Sequence, residues 1–331
     1  MMNFEEIKKE VEQANYIVIT THKSPDGDAI GSSLGLYHFL KNKGKKVVVI
    51  VPDAFPDFLK WMSLSDEIVY FDKDREIGFN HIDNSDLIFS LDYNALGRIG
   101  ELGEVIGDSK ASKIVIDHHQ NPQEFANHYY VDTNCCSTAQ LVYEFIDQLG
   151  ELDSLTKDIS ECLYCGIMTD TGSFRFPSTT AKTHQIIAHF LELGANGSKI
   201  HEKVYDTYSE KRLRLLGYAL TEKMKVFPEY NAAYISLSQK ELKEFNFQKG
   251  DTEGLVNYPL SINGIKFSAL ITEKEQDISM SFRSKDDVFV NEFANTHFQG
   301  GGHIYAAGGK SDLSLEDTIA KFEELLKNFK N

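Results

Sequence analysis

Aspartates and histidines recur in this chain where a parallel sheet would gather them. Thr21-His22-Lys23-Ser24-Pro25-Asp26-Gly27-Asp28 completes and follows an apolar run at 16–21. Asp92 follows 87–91, and Asp117-His118-His119 follows 113–116. A further acidic residue, Asp170, stands in MTDTGSF after a helical stretch. Four carboxylates brought together repel strongly, so clustering calls for cations, protons or both. Oxygen-rich sets with some imidazole suit Mn2+ or Mg2+, whereas zinc sites are dominated by His and thiolate. Two divalent ions would nearly balance four Asp charges, and a bridging carboxylate would hold them about 3.5–4 Å apart, an arrangement that serves in-line phosphoester hydrolysis. Taken singly, SPDGD reads as an ordinary turn with an N-cap and Asp92 as a loop residue or helix cap. It is the set, in this order, that points to a site.

The elements that must position these residues alternate. Runs at 16–21, 46–51, 67–71, 87–91 and 113–116 read as buried strands, and stretches at 31–43, 137–150, 154–169 and 181–193 as helices. That pattern predicts an α/β fold with a doubly wound, mainly parallel sheet and a ligand crevice at the carboxyl ends of its strands. A charged helical connector follows, then a smaller α/β lobe with strands at 232–237, 265–272 and 278–282 and helices at 288–296 and 315–328. The expected domains are 1–195, a linker at 196–225, and 226–331. Within the second lobe, Gly300-Gly301-Gly302-His303 could turn backbone N–H groups toward a phosphate, and a helix beginning after His303 would add its dipole. A bare glycine run is more simply a flexible connection, but Arg283 in SFRS and His303 could both meet a phosphate or base. Arg175, beyond Asp170, is either a phosphate contact or a surface ion pair. Tyr258, His297 and Phe298 are base-stacking candidates or core.

Composition narrows the partners. The 331 residues carry 50 Asp+Glu against 34 Lys+Arg, a net charge of −16, of which −13 falls in the first 190 residues. A broad duplex-DNA footprint needs a basic face and is excluded; a short nucleic acid held by a few cations is not. The four cysteines form no disulfide framework, and Cys162 and Cys165 lie in a helical segment as buried thiols. The amino-terminal stretch is an acidic amphipathic helix, not a signal peptide, and the apolar runs are too short to span a bilayer. A cytoplasmic setting is expected.

HKSPDGDAIGSS, the Asp92 segment with Arg98 downstream, IVIDHH and MTDTGSFRF together resemble the ordered motifs of the DHH phosphoesterase superfamily, and GGGH after SFRS resembles its DHHA1 lobe. The resemblance implies two divalent ions, Mn2+ with Mg2+ or Co2+ as alternatives. His22 and Asp26 would hold one, Asp28 and His118 the other, with Asp92 bridging and Asp170 completing the set. Asp117 would orient imidazole and His119 would face the scissile phosphate. Arg283, Gly300, Gly301, Gly302 and His303, with Arg175, would bind substrate, the glycine loop across a cleft from the metals. The compact length is most similar to the subgroup that degrades very short oligoribonucleotides (nanoRNases) and removes the 3′-phosphate of 3′-phosphoadenosine 5′-phosphate (pAp). Alternatives are a cyclic di-AMP or linear pApA phosphodiesterase, or a nucleotide sensor without turnover. The implied partners are short single-stranded RNA and mono- or dinucleotides, with no membrane and a homodimer as an option.

Overall fold

The computed structural model describes residues 4–248, 250–275 and 277–328. The outer ends of the expected domains, Met1 and Asn331, lie outside that range. The chain divides into two compact units, one ending at Thr207 and the other beginning at Tyr208.

The first unit runs α1 (Phe4–Gln13), β1 (Tyr16–Thr20), α2 (Gly27–Asn42), β2 (Lys46–Val51), β3 (Val69–Tyr70), α3 (Arg75–Asp83), β4 (Leu87–Leu91), α4 (Glu101–Asp108), β5 (Ser112–Asp117), β6 (His128–Val131), α5 (Thr138–Gln148), α6 (Lys157–Asp170), α7 (Ala181–Glu192) and α8 (Gly197–Tyr205). Its six strands pair in the order β3-β2-β1-β4-β5-β6, every neighbour parallel. The strands are apolar on both faces because helices cover both. Ile17, Ile19, Leu87 and Phe89 face one core, while Val18 and Ile88 alternate into a second. The order reverses between β1 and β4, the switch point at which open α/β sheets of this kind receive ligands.

Helices α2 and α6 pack unusually close. Gly27, Gly31 and Gly35 recur every fourth residue on one face of α2. A Cβ at these positions would lie 2.3 Å from Thr169 Oγ1, 2.5 Å from the Cys162 carbonyl oxygen and 2.4 Å from Leu163 Cδ2. Cys162 and Cys165 lie on α6 as buried free thiols.

The second unit runs α9 (Glu210–Tyr218), a π-turn, β7 (Met224–Phe227), β8 (Ala232–Leu237), α10 (Gln239–Glu244), β9 (Phe267–Glu273), β10 (Ile278–Ser284), α11 (Val290–His297), β11 (Gly301–His303), β12 (Ala306–Ser311) and α12 (Leu315–Asn328). Its sheet, β11-β12-β10-β9-β8-β7, is antiparallel except for β8 with β9. Residues of α11 and α12 pack with Phe267 and Phe282 in one core; Leu215, Leu255 and Leu270 belong to another.

Some expectations need correction. No helix follows His303: the chain turns through Ile304 and Tyr305 into β12, which pairs with β10, so no helix dipole serves the glycine run. AAGGK is poor helix-forming sequence, and small residues suit a strand pressed between neighbours. Helix α2 begins at Gly27, four residues earlier than its periodicity suggests, because Asp26 caps it. Of the stretch expected as a linker, Ile200 and Val204 of α8 are buried in the first unit's core, and Leu215 of α9 in the second's.

Candidate active site

Each carboxylate is placed by a different local device. Asp26 is the N-cap of α2, its Oδ1 accepting from the Asp28 and Ala29 N–H groups at 3.0 Å each. Asp28, in the first turn of α2 and 1% exposed, reaches the start of α5, where Thr138 N–H donates to Oδ2 (2.6 Å) and Ala139 N–H to Oδ1 (2.8 Å). Asp92 leaves β4 with φ +63°, a left-handed conformation that costs about 1–3 kcal/mol and persists only under constraint. The constraint is visible: its N–H donates to Ile116 O (3.1 Å) and its Oδ1 accepts from Thr138 Oγ1 (2.9 Å). Asp117 ends β5, and Asp170 ends α6.

The imidazoles are oriented by their Nδ1 atoms. A carbonyl can only accept, so the contacts His22 Nδ1 to Lys23 O (2.9 Å) and His118 Nδ1 to Cys135 O (3.2 Å) place the proton on Nδ1. Both Nε2 atoms then point at carboxylates. His22 Nε2 lies 3.4 Å from Asp92 Oδ2 and 3.9 Å from Asp26 Oδ1. His118 Nε2 lies 3.5 Å from Asp92 Oδ1, 3.6 Å from Asp170 Oδ2 and 3.9 Å from Asp28 Oδ2. Asp92 therefore offers one oxygen to each of two groups. His119 Nδ1 is held by Asp117 Oδ1 at 2.7 Å, turning its Nε2 away from that carboxylate.

The electrostatics show what such a cluster lacks. Burial, reinforced by the charges of Asp92, Asp170 and Asp26, pushes the Asp28 carboxyl well above the usual carboxylate range. Burial also acts to raise Asp92, but the hydrogen bond with His22 and the charges of His119, His22 and His118 outweigh it and hold it low. Burial disfavours a charged His22, yet the hydrogen bond to Asp92 and the charges of Asp26 and Asp92 raise it to about 9. His118 is raised in the same way against its burial, by Asp170, Asp92 and Asp117. For His119 burial prevails, aided by Arg98, and its pKa falls. Protonated groups here supply positive charge that divalent ions would supply instead. The separations fit as well, since donors at right angles around a small divalent ion stand about 3 Å apart and wider angles set them farther. His22, Asp26 and Asp92 form one cluster able to hold an ion, and Asp28, Asp92 and His118 another.

In the second unit, Arg283, Ala306 and His303 lie in one cross-strand row over β10, β12 and β11. A Cβ at Gly300 would meet Gly308 O at 2.1 Å, and one at Gly302 would meet Ala306 O at 2.6 Å; only at Gly301 is the space open. Two of the three glycines are thus required by the approach of β12. Arg175 is exposed, its Nε donating to Gly172 O at 2.7 Å in the turn beyond Asp170. Phe298 is core, while Tyr258 is 45% exposed. Sequence reasoning missed Thr138, which serves Asp28 and Asp92 together, and the Cys135 carbonyl. The available signal was Ser137 opening a helix, its Oγ accepting from Gln140 N–H as a cap.

Comparison with known proteins decides the family. Residues 16–167 match the DHH family N-terminal domain, and residues 229–330 match the DHHA1 domain. A Streptococcus mutans relative, a probable bifunctional oligoribonuclease and PAP phosphatase NrnA, is 30% identical over 99% of this chain and 100% of its own length. The chain belongs to the DHH/DHHA1 phosphoesterase family. The Thermus thermophilus bifunctional oligoribonuclease and PAP phosphatase NrnA is also 30% identical, over 97% of this chain and 92% of its own length. The crystal structure of an exopolyphosphatase-related protein from Bacteroides fragilis superposes with a TM-score of 0.94 at 44% identity, covering 98% of this chain and 95% of that one. This DHH/DHHA1 phosphoesterase is therefore an enzyme of the phosphodiesterase/phosphatase class, a class that uses divalent metal ions. Among the described residues, no helix is long and apolar enough to cross a membrane.

Proposed function

We propose that this phosphoesterase hydrolyses very short oligoribonucleotides and removes the 3′-phosphate of pAp, with two divalent ions, Mn2+ above all, in the first unit. The observation that carries the two-ion reading is Asp92, whose Oδ2 faces His22 at 3.4 Å and whose Oδ1 faces His118 at 3.5 Å. His22 and Asp26 would hold one ion and Asp28 and His118 the other, with Asp92 between them and Asp170 beside His118. Bound there, the ions would supply Lewis-acid activation of water and of the phosphoryl oxygens. The full-length similarity to NrnA relatives supports the substrate class.

The chain's own residues perform the rest. Asp117 fixes the His119 ring through Nδ1, and an arriving phosphate anion would offset the burial that lowers this imidazole's pKa, favouring a proton on Nε2 for the leaving oxygen. Arg283, His303 and the Gly300–Gly302 backbone bind the anionic nucleotide portion, and Arg175 adds positive charge beyond Asp170. The net charge of −16 argues against a long duplex track and is compatible with short, locally held nucleic acids.

The test offers purified protein pAp, di- to pentaribonucleotides, cyclic di-AMP and polyphosphate, with Mn2+, Mg2+ or chelator. Turnover of dinucleotides and pAp that needs added metal is expected. Turnover insensitive to chelator would refute the two-ion mechanism, and exclusive turnover of cyclic di-AMP would refute the substrate assignment. Tight nucleotide binding without hydrolysis would identify a sensor.

A further inference from the structure

Two aromatic rings in the second unit are exposed without a packing reason. Phe289 is 47% and Tyr305 38% exposed, and their centroids lie 6.4 Å apart at an interplanar angle of 55°. Exposed single aromatics are common, but this pair is rigidly built. Tyr305 occupies the two-residue turn between His303 and Ala306. Its carbonyl accepts from Ser284 N–H at 3.0 Å, its hydroxyl donates to Asp286 O at 3.0 Å, and Val290 N–H donates to Ile304 O at 2.9 Å. The turn is thereby stitched to both ends of the segment that carries Phe289. Tyr305 also adjoins Ala306, which pairs across the strands with both phosphate-binding candidates, Arg283 and His303.

We propose that Phe289 and Tyr305 form a stacking platform for a nucleobase whose phosphate is received at Arg283 and His303. The proposal rests on the oligonucleotide and pAp reading above. Two rings match the size of a base and fall far short of a protein interface, which buries roughly 800 Å² per partner. Charge is also suitable: Asp286 and Asp287, the neighbouring carboxylates, are engaged by Lys266 at 3.7 and 2.8 Å. The platform presents ring faces rather than an array of base-edge donors, so it tolerates all four bases, as a degradative enzyme requires.

The experiment measures fluorescence quenching of 2-aminopurine riboside 3′,5′-bisphosphate by wild type, Phe289→Leu, Tyr305→Leu and Tyr305→Phe. Leucine keeps apolar bulk but removes the ring face. Wild type and Tyr305→Phe should quench the probe, while each leucine variant should lose quenching and bind roughly tenfold to a hundredfold more weakly. Abasic ribose 3′,5′-bisphosphate, used as competitor, should show a much smaller change. Equal weakening for probe and abasic competitor would overturn the platform, because the rings would then only shape the hairpin. Unchanged quenching with a shift from dimer to monomer on size exclusion would overturn it too. Wild type that hydrolyses dinucleotides while the leucine variants bind normally sinks the platform alone. Wild type that quenches through these rings but hydrolyses no nucleotide sinks the substrate reading alone.

Discussion

Replacing Gly31 by alanine probes the helix contact on which the proposed metal site depends. An alanine Cβ would lie 2.5 Å from the Cys162 carbonyl oxygen and 2.8 Å from the Gly166 nitrogen, both backbone atoms of α6. No flexible side chain can rotate away, so α2 and α6 must separate by about 1 Å to restore ordinary contact. Overpacking of this kind costs about 1–3 kcal/mol, here toward the upper end. Alanine returns about 1 kcal/mol through its better helix propensity. The net loss of about 2 kcal/mol corresponds to a fall in Tm of roughly 4–8 °C for a unit this size. Activity should suffer more than stability. Asp28 is on α2 and Asp170 ends α6, and a shift of about 1 Å in a catalytic arrangement can cost on the order of a hundredfold. Scanning calorimetry and metal-dependent dinucleotide hydrolysis would be measured beside Gly217→Ala on α9, where an added Cβ meets nothing within 4 Å. That control should gain up to about 1 kcal/mol and keep full activity. Wild-type Tm and kcat in Gly31→Ala would refute the close helix contact and its role in aligning the carboxylates.

Other outcomes follow from the same geometry. Thr138→Val removes the hydroxyl that donates to Asp92 at 2.9 Å but keeps the N–H on Asp28, so kcat/KM should fall roughly tenfold; Thr138→Ser should restore it, and a fully active valine variant would refute the role. Adding Mn2+ to chelator-treated protein at about a hundred times Kd should stabilise the first unit by about 2.7 kcal/mol, and a thermal shift that persists in Asp92→Ala would count against Asp92 as the shared ligand. Glu241 accepts from Ser238 N–H, Ser238 Oγ and Tyr218 and pairs with Lys223; burial opposes ionisation, but these partners hold its pKa at about 2. Because that value lies below the ordinary glutamate value of 4.5, its stabilisation is complete above pH 4.5 and lost as pH falls toward 2. Glu241→Gln should therefore unfold the second unit about 1–2 kcal/mol more easily at pH 7, with the gap closing by about pH 2; a gap independent of pH would disprove the assignment.

The long apolar runs at β1, β2, β4 and β5 were legible because strands covered on both faces carry uninterrupted β-branched and aliphatic residues. The short edge strand β6, reading HYYV and half-buried throughout, carries no such signal. Strands β11 and β12 were hidden for another reason. Their glycine- and alanine-rich text has no strand propensity, and only the pairing of β12 with β10 and of β11 with β12 makes them part of the sheet. The capping role of Asp26 was foreseeable from SPDGD, but its consequence, a helix starting at Gly27, was obscured by glycines whose purpose is contact with α6.

By itself, the sequence determined the fold class, the order of the motifs and the side chains proposed as metal ligands, because these depend on periodicity and side-chain chemistry along the chain. Only the tertiary structure decided that each oxygen of Asp92 faces a different imidazole, and that the start of α5 holds Asp28 in place. It likewise turned the glycine run into a β-hairpin and set Phe289 beside Tyr305. Apart from the hairpin's own pairs, those relations join residues from 16 to more than 100 positions apart, and no local pattern encodes a direction in space.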